Sequence, residues 1–112
     1  MSLNGYAMAE GTGRYRDRLI GAGVARKDHF REGLGGLALS SIGLGTYLGK
    51  HDDATDALYR AAIMRAVEAG CNVIDSAINY RCQRSERAIG QALAEMIRAG
   101  TCRRDEIGRA HV

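Results

Sequence analysis

No run of apolar residues in this 112-residue chain approaches the roughly 20 needed to span a bilayer, so no segment reads as a membrane anchor. A secretory leader is not expected either, because Asn4, Gly5 and Tyr6 interrupt the first nine residues where an apolar stretch would lie. Cysteine is scarce. Cys71, Cys82 and Cys102 are odd in number and irregularly spaced, which reads as free thiols in a reducing cytoplasm. That spacing supports neither a disulfide framework nor a metal site, and no metal is expected. Charge of one sign is lacking too. Sixteen basic and 13 acidic residues leave a net charge of +3, too mild and too mixed to argue for nucleic acid. Lysine is rarest of the charged types: Lys27 and Lys50 are the only two. The length suits one small domain with a modest core, and falls short of the roughly 250 residues of a complete (β/α)8 barrel.

What is present has an order. Residues 1–28 are rich in Gly and Arg without a sustained period, and read as a loosely ordered lead-in. His29 to Ser41 carries Gly33, Gly35 and Gly36 between short apolar patches, the pattern of a hairpin. Ser41 to Thr46 reads as a short strand opening into a loop. Asp53 is the expected cap of a helix whose face is Leu58, Ala61, Ala62, Arg65, Ala66 and Ala69, with Asp56 and Arg60 four apart for pairing. Gly70 should stop that helix, and Cys71 to Asp75 should form a short buried strand. Ser85 is the expected cap of a second helix with the apolar face Ile89, Ala92, Leu93, Met96 and Ile97, ended by Gly100. Strand, helix, strand, helix implies parallel βα units.

In parallel α/β barrels the chemistry sits at the C-terminal ends of the strands. Asp75 ends one expected strand and Tyr80 lies in the loop beyond it. Taken alone, a strand-end Asp is often a turn residue and a loop Tyr is often packing. Their surroundings say more. Gly43-Leu44-Gly45-Thr46-Tyr47, then Asn72-Val73-Ile74-Asp75-Ser76-Ala77-Ile78-Asn79-Tyr80, then Ser85-Glu86-Arg87-Ala88-Ile89-Gly90 occur in that order. From about His29 to Glu106 the chain resembles the first third of an aldo-keto reductase.

That resemblance implies an α/β fold, the N-terminal hairpin plus the first two βα units of a TIM (β/α)8 barrel, over residues 29–106. It also implies reduction of aldehydes or ketones by hydride transfer, with NADP(H) preferred over NAD(H), on a small carbonyl substrate and with neither nucleic acid nor membrane as partner. In the family the aspartate and tyrosine belong to a set completed by a lysine and a histidine, and the matching residues here are Asp75 and Tyr80. Tyr80 would protonate the carbonyl oxygen. A free tyrosine has a pKa of about 10 and donates reluctantly at neutral pH, so a neighbouring ammonium is needed to lower it. Asp75 would hold that lysine. Gly45, Thr46 and Tyr47 fall where the family lines the nicotinamide end of its pocket.

The departures are equally specific. Both lysines precede Asp75, whereas the family lysine follows the next strand, expected near Arg104 to Ile107. His111 stands too early to replace the family histidine. Tyr80-Arg81-Cys82-Gln83-Arg84 replaces the glycines more usual before Ser-Glu, which suggests a subgroup. Residues 107–112 break the resemblance. The string ATCGGAAGAGCACACGTCTGA encodes those six residues and a stop, and matches a common sequencing adapter. The expectation is therefore a non-native tail on a truncated reductase that is itself inactive. Two other readings stand beside it. One is a non-catalytic paralogue that binds a partner. The other is a Rossmann-type dinucleotide-binding fragment, suggested by Gly43-x-Gly45, although Leu48 occupies the place of the third glycine.

Overall fold

Glycines set the first turn of the structure. The computed structural model describes residues 5–77 and 79–109. Strands β1 (Phe30–Glu32) and β2 (Ala38–Ser40) pair antiparallel, Arg31 opposite Leu39. Gly35 and Gly36 between them have φ of 68° and 75°, a region that favours glycine, so the expected hairpin forms there.

Strands β3 (Leu44–Gly45), β4 (Val73–Asp75) and β5 (Gly108–Arg109) make a separate sheet in that order, all parallel. Helix α2 (Asp53–Glu68) joins β3 to β4, and α3 (Arg84–Ala99) joins β4 to β5. The result is a mixed α/β fold of two consecutive βα units, with no closed barrel among the described residues. β5 begins later than expected: Arg104–Glu106 is a 3-10 turn, and the strand starts at Gly108. Residues 110–112 of the expected tail lie outside the described residues.

The two helices pack side by side, but the face of α2 differs from the expected alanine stripe. Ile63 and Val67 are its buried residues, while Leu58 is 70% exposed. Burial of each large apolar side chain is worth about 1.5–3 kcal/mol, so the larger side chains determined which stripe turned inward. Ile89, Ala92, Leu93 and Met96 of α3 are buried as expected. Ile74 of β4, Cys102 and Ile107 complete this core. Gly70 and Gly100 follow the helices with φ of 109° and 79°. Both capping assignments change. Asp52, not Asp53, caps α2, its carboxylate accepting from the Thr55 N–H at 2.8 Å. Gln83 stands at the start of α3 without a side-chain cap, and Ser85 turns elsewhere.

The lead-in is the largest correction. Residues 9–21 form a helix, α1 (Ala9–Gly21), that buries Tyr15 and Leu19 in the core. Tyr15 donates its hydroxyl to the Val67 carbonyl. A Cβ on Gly11 would collide with the backbone of Asp105, so glycine permits this close approach. Helix α1 is then locked by charge. The fully buried Glu106 carboxylate accepts from Arg14 Nε at 3.0 Å, from Arg18 Nη1 and Nη2 at 2.8 and 2.9 Å, and from the Arg103 N–H at 3.0 Å. The sequence shows only a Gly- and Arg-rich stretch here, because the contacts that order it lie about 90 residues away in the chain.

Burial raises the Glu106 pKa, but the hydrogen bonds from Arg18, Arg103 and Arg14 outweigh that and hold it below the usual carboxylate range. A carboxyl whose folded pKa is depressed stabilises the fold above its unfolded pKa of about 4.3, and that stability is lost as pH falls through the folded value. The urea midpoint should therefore fall as pH drops below about 4. Glu106→Gln should lower stability at pH 7 and flatten part of that acid decline. A decline of unchanged steepness in the variant would contradict this role for Glu106.

Candidate functional site at the C-terminal strand ends

Register brings the candidate residues to one edge. Gly45 at the end of β3 lies opposite Asp75 at the end of β4. Thr46, fully buried, donates its hydroxyl to the Asp75 carbonyl at 2.7 Å. The Thr46 carbonyl in turn accepts from the Ser85 hydroxyl. Ser85 is thus the tie between the first turn of α3 and the end of β3. These bonds matter because β3 and β4 share only two paired positions, too few to fix their ends.

Tyr80 follows in the turn after β4, with its N–H on the Ala77 carbonyl at 3.1 Å. Its ring meets that of Tyr47 edge-on, with centroids 5.0 Å apart and planes at 76°. Tyr47 is 65% exposed, and beside it Gly45 faces open space, since a Cβ there would meet nothing within 4 Å. All five sequence-predicted residues, Gly45, Thr46, Tyr47, Asp75 and Tyr80, therefore gather at the C-terminal edge of β3 and β4. Ile78 lies outside the described residues.

A second group was not foreseen. Arg81, Cys82 and Gln83 have φ of 51°, 56° and 68°. Each left-handed non-glycine residue costs about 1–2 kcal/mol, so this turn needs an external hold. Arg81 supplies one. Its side chain is fully buried and donates from Nε and Nη2 to the Lys50 carbonyl, at 3.0 and 2.7 Å. Nη2 also meets Asp56 Oδ1 at 2.5 Å. Nη1 is buried without a hydrogen-bond acceptor, and the guanidinium carbon lies over the Tyr59 ring, 4.7 Å from its centroid, a cation–π contact. Tyr59 also donates its hydroxyl to the Leu48 carbonyl.

Asp56 thus pairs with Arg81 and, through Oδ2, with Arg84 at 2.7 Å, rather than with Arg60. Arg60 reaches Gln91 on α3 instead. Burial raises the Asp56 pKa, and the bonds from Arg81 and Arg84 override it, holding the carboxyl below its usual range. The sequence signal for this group was the run Arg81-Cys82-Gln83 where glycines are more usual, which marked a subgroup without disclosing the buried guanidinium.

The Aldo/keto reductase family model matches residues 41–107, more than half of the chain, including all of these edge residues. The chain belongs to the aldo/keto reductase family. It is therefore related to oxidoreductases that in general act on carbonyl compounds with a nicotinamide cofactor. No curated protein matches the chain at a significant level. Helix α1 and the hairpin precede the matched span. The Rossmann reading loses its support here, because Leu44–Gly45 is strand β3 and α2 opens only at Asp53. Among the described residues no group of three or more His, Cys, Asp or Glu gathers as a metal site, and no helix is long and apolar enough to cross a membrane.

Thr46→Val keeps the volume and removes the donor that ties Asp75 to β3. Loss of this partly buried hydrogen bond should cost about 0.5–1.5 kcal/mol in urea unfolding. A variant as stable as the parent would show that the Thr46 hydroxyl does not hold this edge.

Proposed function

We propose that this chain is the N-terminal part of an NADP(H)-preferring aldo/keto reductase, the bottom hairpin and first two βα units of a (β/α)8 barrel. In that protein Tyr80 gives its phenolic proton to the oxygen of a small aldehyde or ketone, and Asp75 orients the lysine that assists it. The observation that carries the reading is the gathering of Tyr80, Asp75 and the Gly45–Tyr47 turn at one strand edge within a family match. The open space over Gly45 and the exposed Tyr47 ring suit the flat end of a nicotinamide, which when bound would supply the hydride. Gly45 and Tyr47 would hold that ring, with Thr46 buried beneath them and tied to Asp75, and Tyr80 would face the carbonyl from beside it. A cytoplasmic setting accords with three free thiols.

The same residues argue that the chain as given does not turn over. Lys27 belongs to the 3-10 turn before β1, and Lys50 lies in the loop after β3. Neither stands after β5, where the family lysine belongs. Of residues 107–112, read from the sequence as a non-native tail, Ile107 lies within the family match and the buried core, and Gly108–Arg109 pair with β4. The competing reading, a non-catalytic partner-binding paralogue, draws on a groove of about 140 Å³ between α3 and the sheet, lined by Ile74, Ile89, Leu93 and Ile107.

The purified 112-residue chain should show no NADPH-dependent reduction of a simple aldehyde above its own Tyr80→Phe control. Turnover above that control would overturn the inactivity. In a protein completed by the remaining βα units, Tyr80→Phe should lower kcat by about 10²- to 10⁴-fold, the usual weight of a general acid, while leaving cofactor Kd nearly unchanged. Equal kcat in the variant would remove Tyr80 from the chemistry. A defined oligomer of the native chain together with an inert Tyr80 would favour the partner-binding reading.

A further inference from the structure

We propose that Arg81 is a positioning residue for Tyr80, holding the turn that carries Tyr80 against the loop that carries Tyr47. The word positioning rests on the reading of Tyr80 as proton donor; the holding action stands on its own and is measured separately.

The turn after β4 is built in a conformation its residues disfavour. Arg81, Cys82 and Gln83 are consecutive non-glycine residues with positive φ. Cys82 and Gln83 are exposed and offer little burial in return. Arg81 is the exception, with its whole side chain buried. Its guanidinium reaches two separate elements. On the loop after β3 it binds the Lys50 carbonyl twice, and on α2 it meets Asp56 and lies over the Tyr59 ring. Tyr59 pins the same loop at Leu48. Tyr47 precedes Leu48 directly, and Tyr80 precedes Arg81 directly. One side chain therefore spans the two loops whose aromatic rings meet at 5.0 Å.

The chemistry of the anchor is specific to arginine. Two donors converge on one carbonyl oxygen while a third contact goes to a carboxylate and the guanidinium carbon lies over a ring. A lysine ammonium has no planar fork and cannot make these contacts together. Glycine, in contrast, fits φ of 51° better than arginine does. Arg81→Gly thus separates two explanations. If backbone shape places Tyr80, glycine keeps or improves the placement. If the buried side chain places it, glycine loses it.

The test uses the 112-residue chain with isotopically labelled tyrosine, and reads the nuclear Overhauser cross-peak between the Tyr47 and Tyr80 rings together with the Tyr80 ring resonances. The Ile63 and Met96 methyl resonances report the core in the same samples. Arg81→Gly and Arg81→Lys should lose the Tyr47–Tyr80 cross-peak and shift Tyr80 towards its unfolded position, with the core resonances in place. Persistence of the cross-peak in a folded Arg81→Gly variant would overturn the proposal. Should the Arg81 variants unfold, Asp56→Asn decides. It removes the charge partner and leaves the Lys50 carbonyl bonds, so a weakened cross-peak is expected, and an unchanged one in a folded protein would refute the clamp. Failure of the reductase reading looks different: Tyr80→Phe in the completed enzyme would retain activity while Arg81→Gly still lost the ring contact.

Discussion

The structure depends on one buried amide, that of Asn72. The parallel strands are two or three residues long, so their ladders alone cannot join the sheet to the hairpin beneath it. Asn72 Oδ1 accepts from the Ser40 N–H at 2.8 Å, and Nδ2 donates to the carbonyls of Ala38 and Glu106 at 3.0 and 3.2 Å. Its own N–H donates to Ser40 Oγ at 3.1 Å. Side-chain oxygen and both side-chain N–H directions are thus used, in a site with no exposure to water. In a low-dielectric interior such a saturated group is stable only in one arrangement, because any slip strands several buried backbone groups. Asn72 therefore fixes the hairpin, β4 and the turn before β5 together. Helix α1 is added through Thr12, whose Oγ1 accepts from the Ala38 N–H at 2.9 Å.

Two buried charges at opposite ends of the parallel strands extend this scheme. Glu106 precedes β5 and faces Arg14 and Arg18; Arg81 follows β4 and faces Asp56, with Arg84 on the same carboxylate. Taking such charges out of water costs several kcal/mol each, and ion pairing alone does not reliably repay it. Each charge here also uses backbone groups: the Arg103 N–H binds Glu106, and the Lys50 carbonyl binds Arg81. The yield is geometric. One cluster decides where α1 lies, the other where the loops after β3 and β4 lie. The exposed Arg26–Asp28 pair at 3.8 Å, both side chains well over half exposed, has no comparable role.

Local signals were legible in the sequence, and distant ones were not. Glycines at 35, 36, 70 and 100 mark turns because φ there needs no partner to explain it. The α3 face at Ile89, Ala92, Leu93 and Met96 follows from helical spacing alone. The α2 face misleads, because alanines at helical spacing look like a packing stripe until Ile63 and Val67 compete for the core. Asp52 and Asp53 are adjacent and equally suited to cap a helix, and the backbone φ of −141° at Asp52 selects between them. The site residues were legible through ordered motifs rather than through any single one. What holds them was illegible: Arg81 with Lys50, Thr46 with Asp75 and Ser85 with Thr46 are pairings across 29 to 39 residues. No period or spacing rule reaches that far.

This division bears on how the candidate chemistry is built. The contacts described around Tyr80 and Tyr47 join residues between Thr46 and Ser85, on two adjacent strand ends, α2 and the first turn of α3. The groups that would make a tyrosine a willing proton donor, an ammonium and an imidazole, belong to later strands in the family. On the proposed function, position and acidity would be supplied by different parts of a barrel. A parallel barrel permits this because all its strands end on one face, so groups distant in sequence converge without touching the elements that hold each other. The clamp around Arg81 needs no later strand to form. The hold on the turn that carries Tyr80 is consequently built from neighbouring elements of this chain.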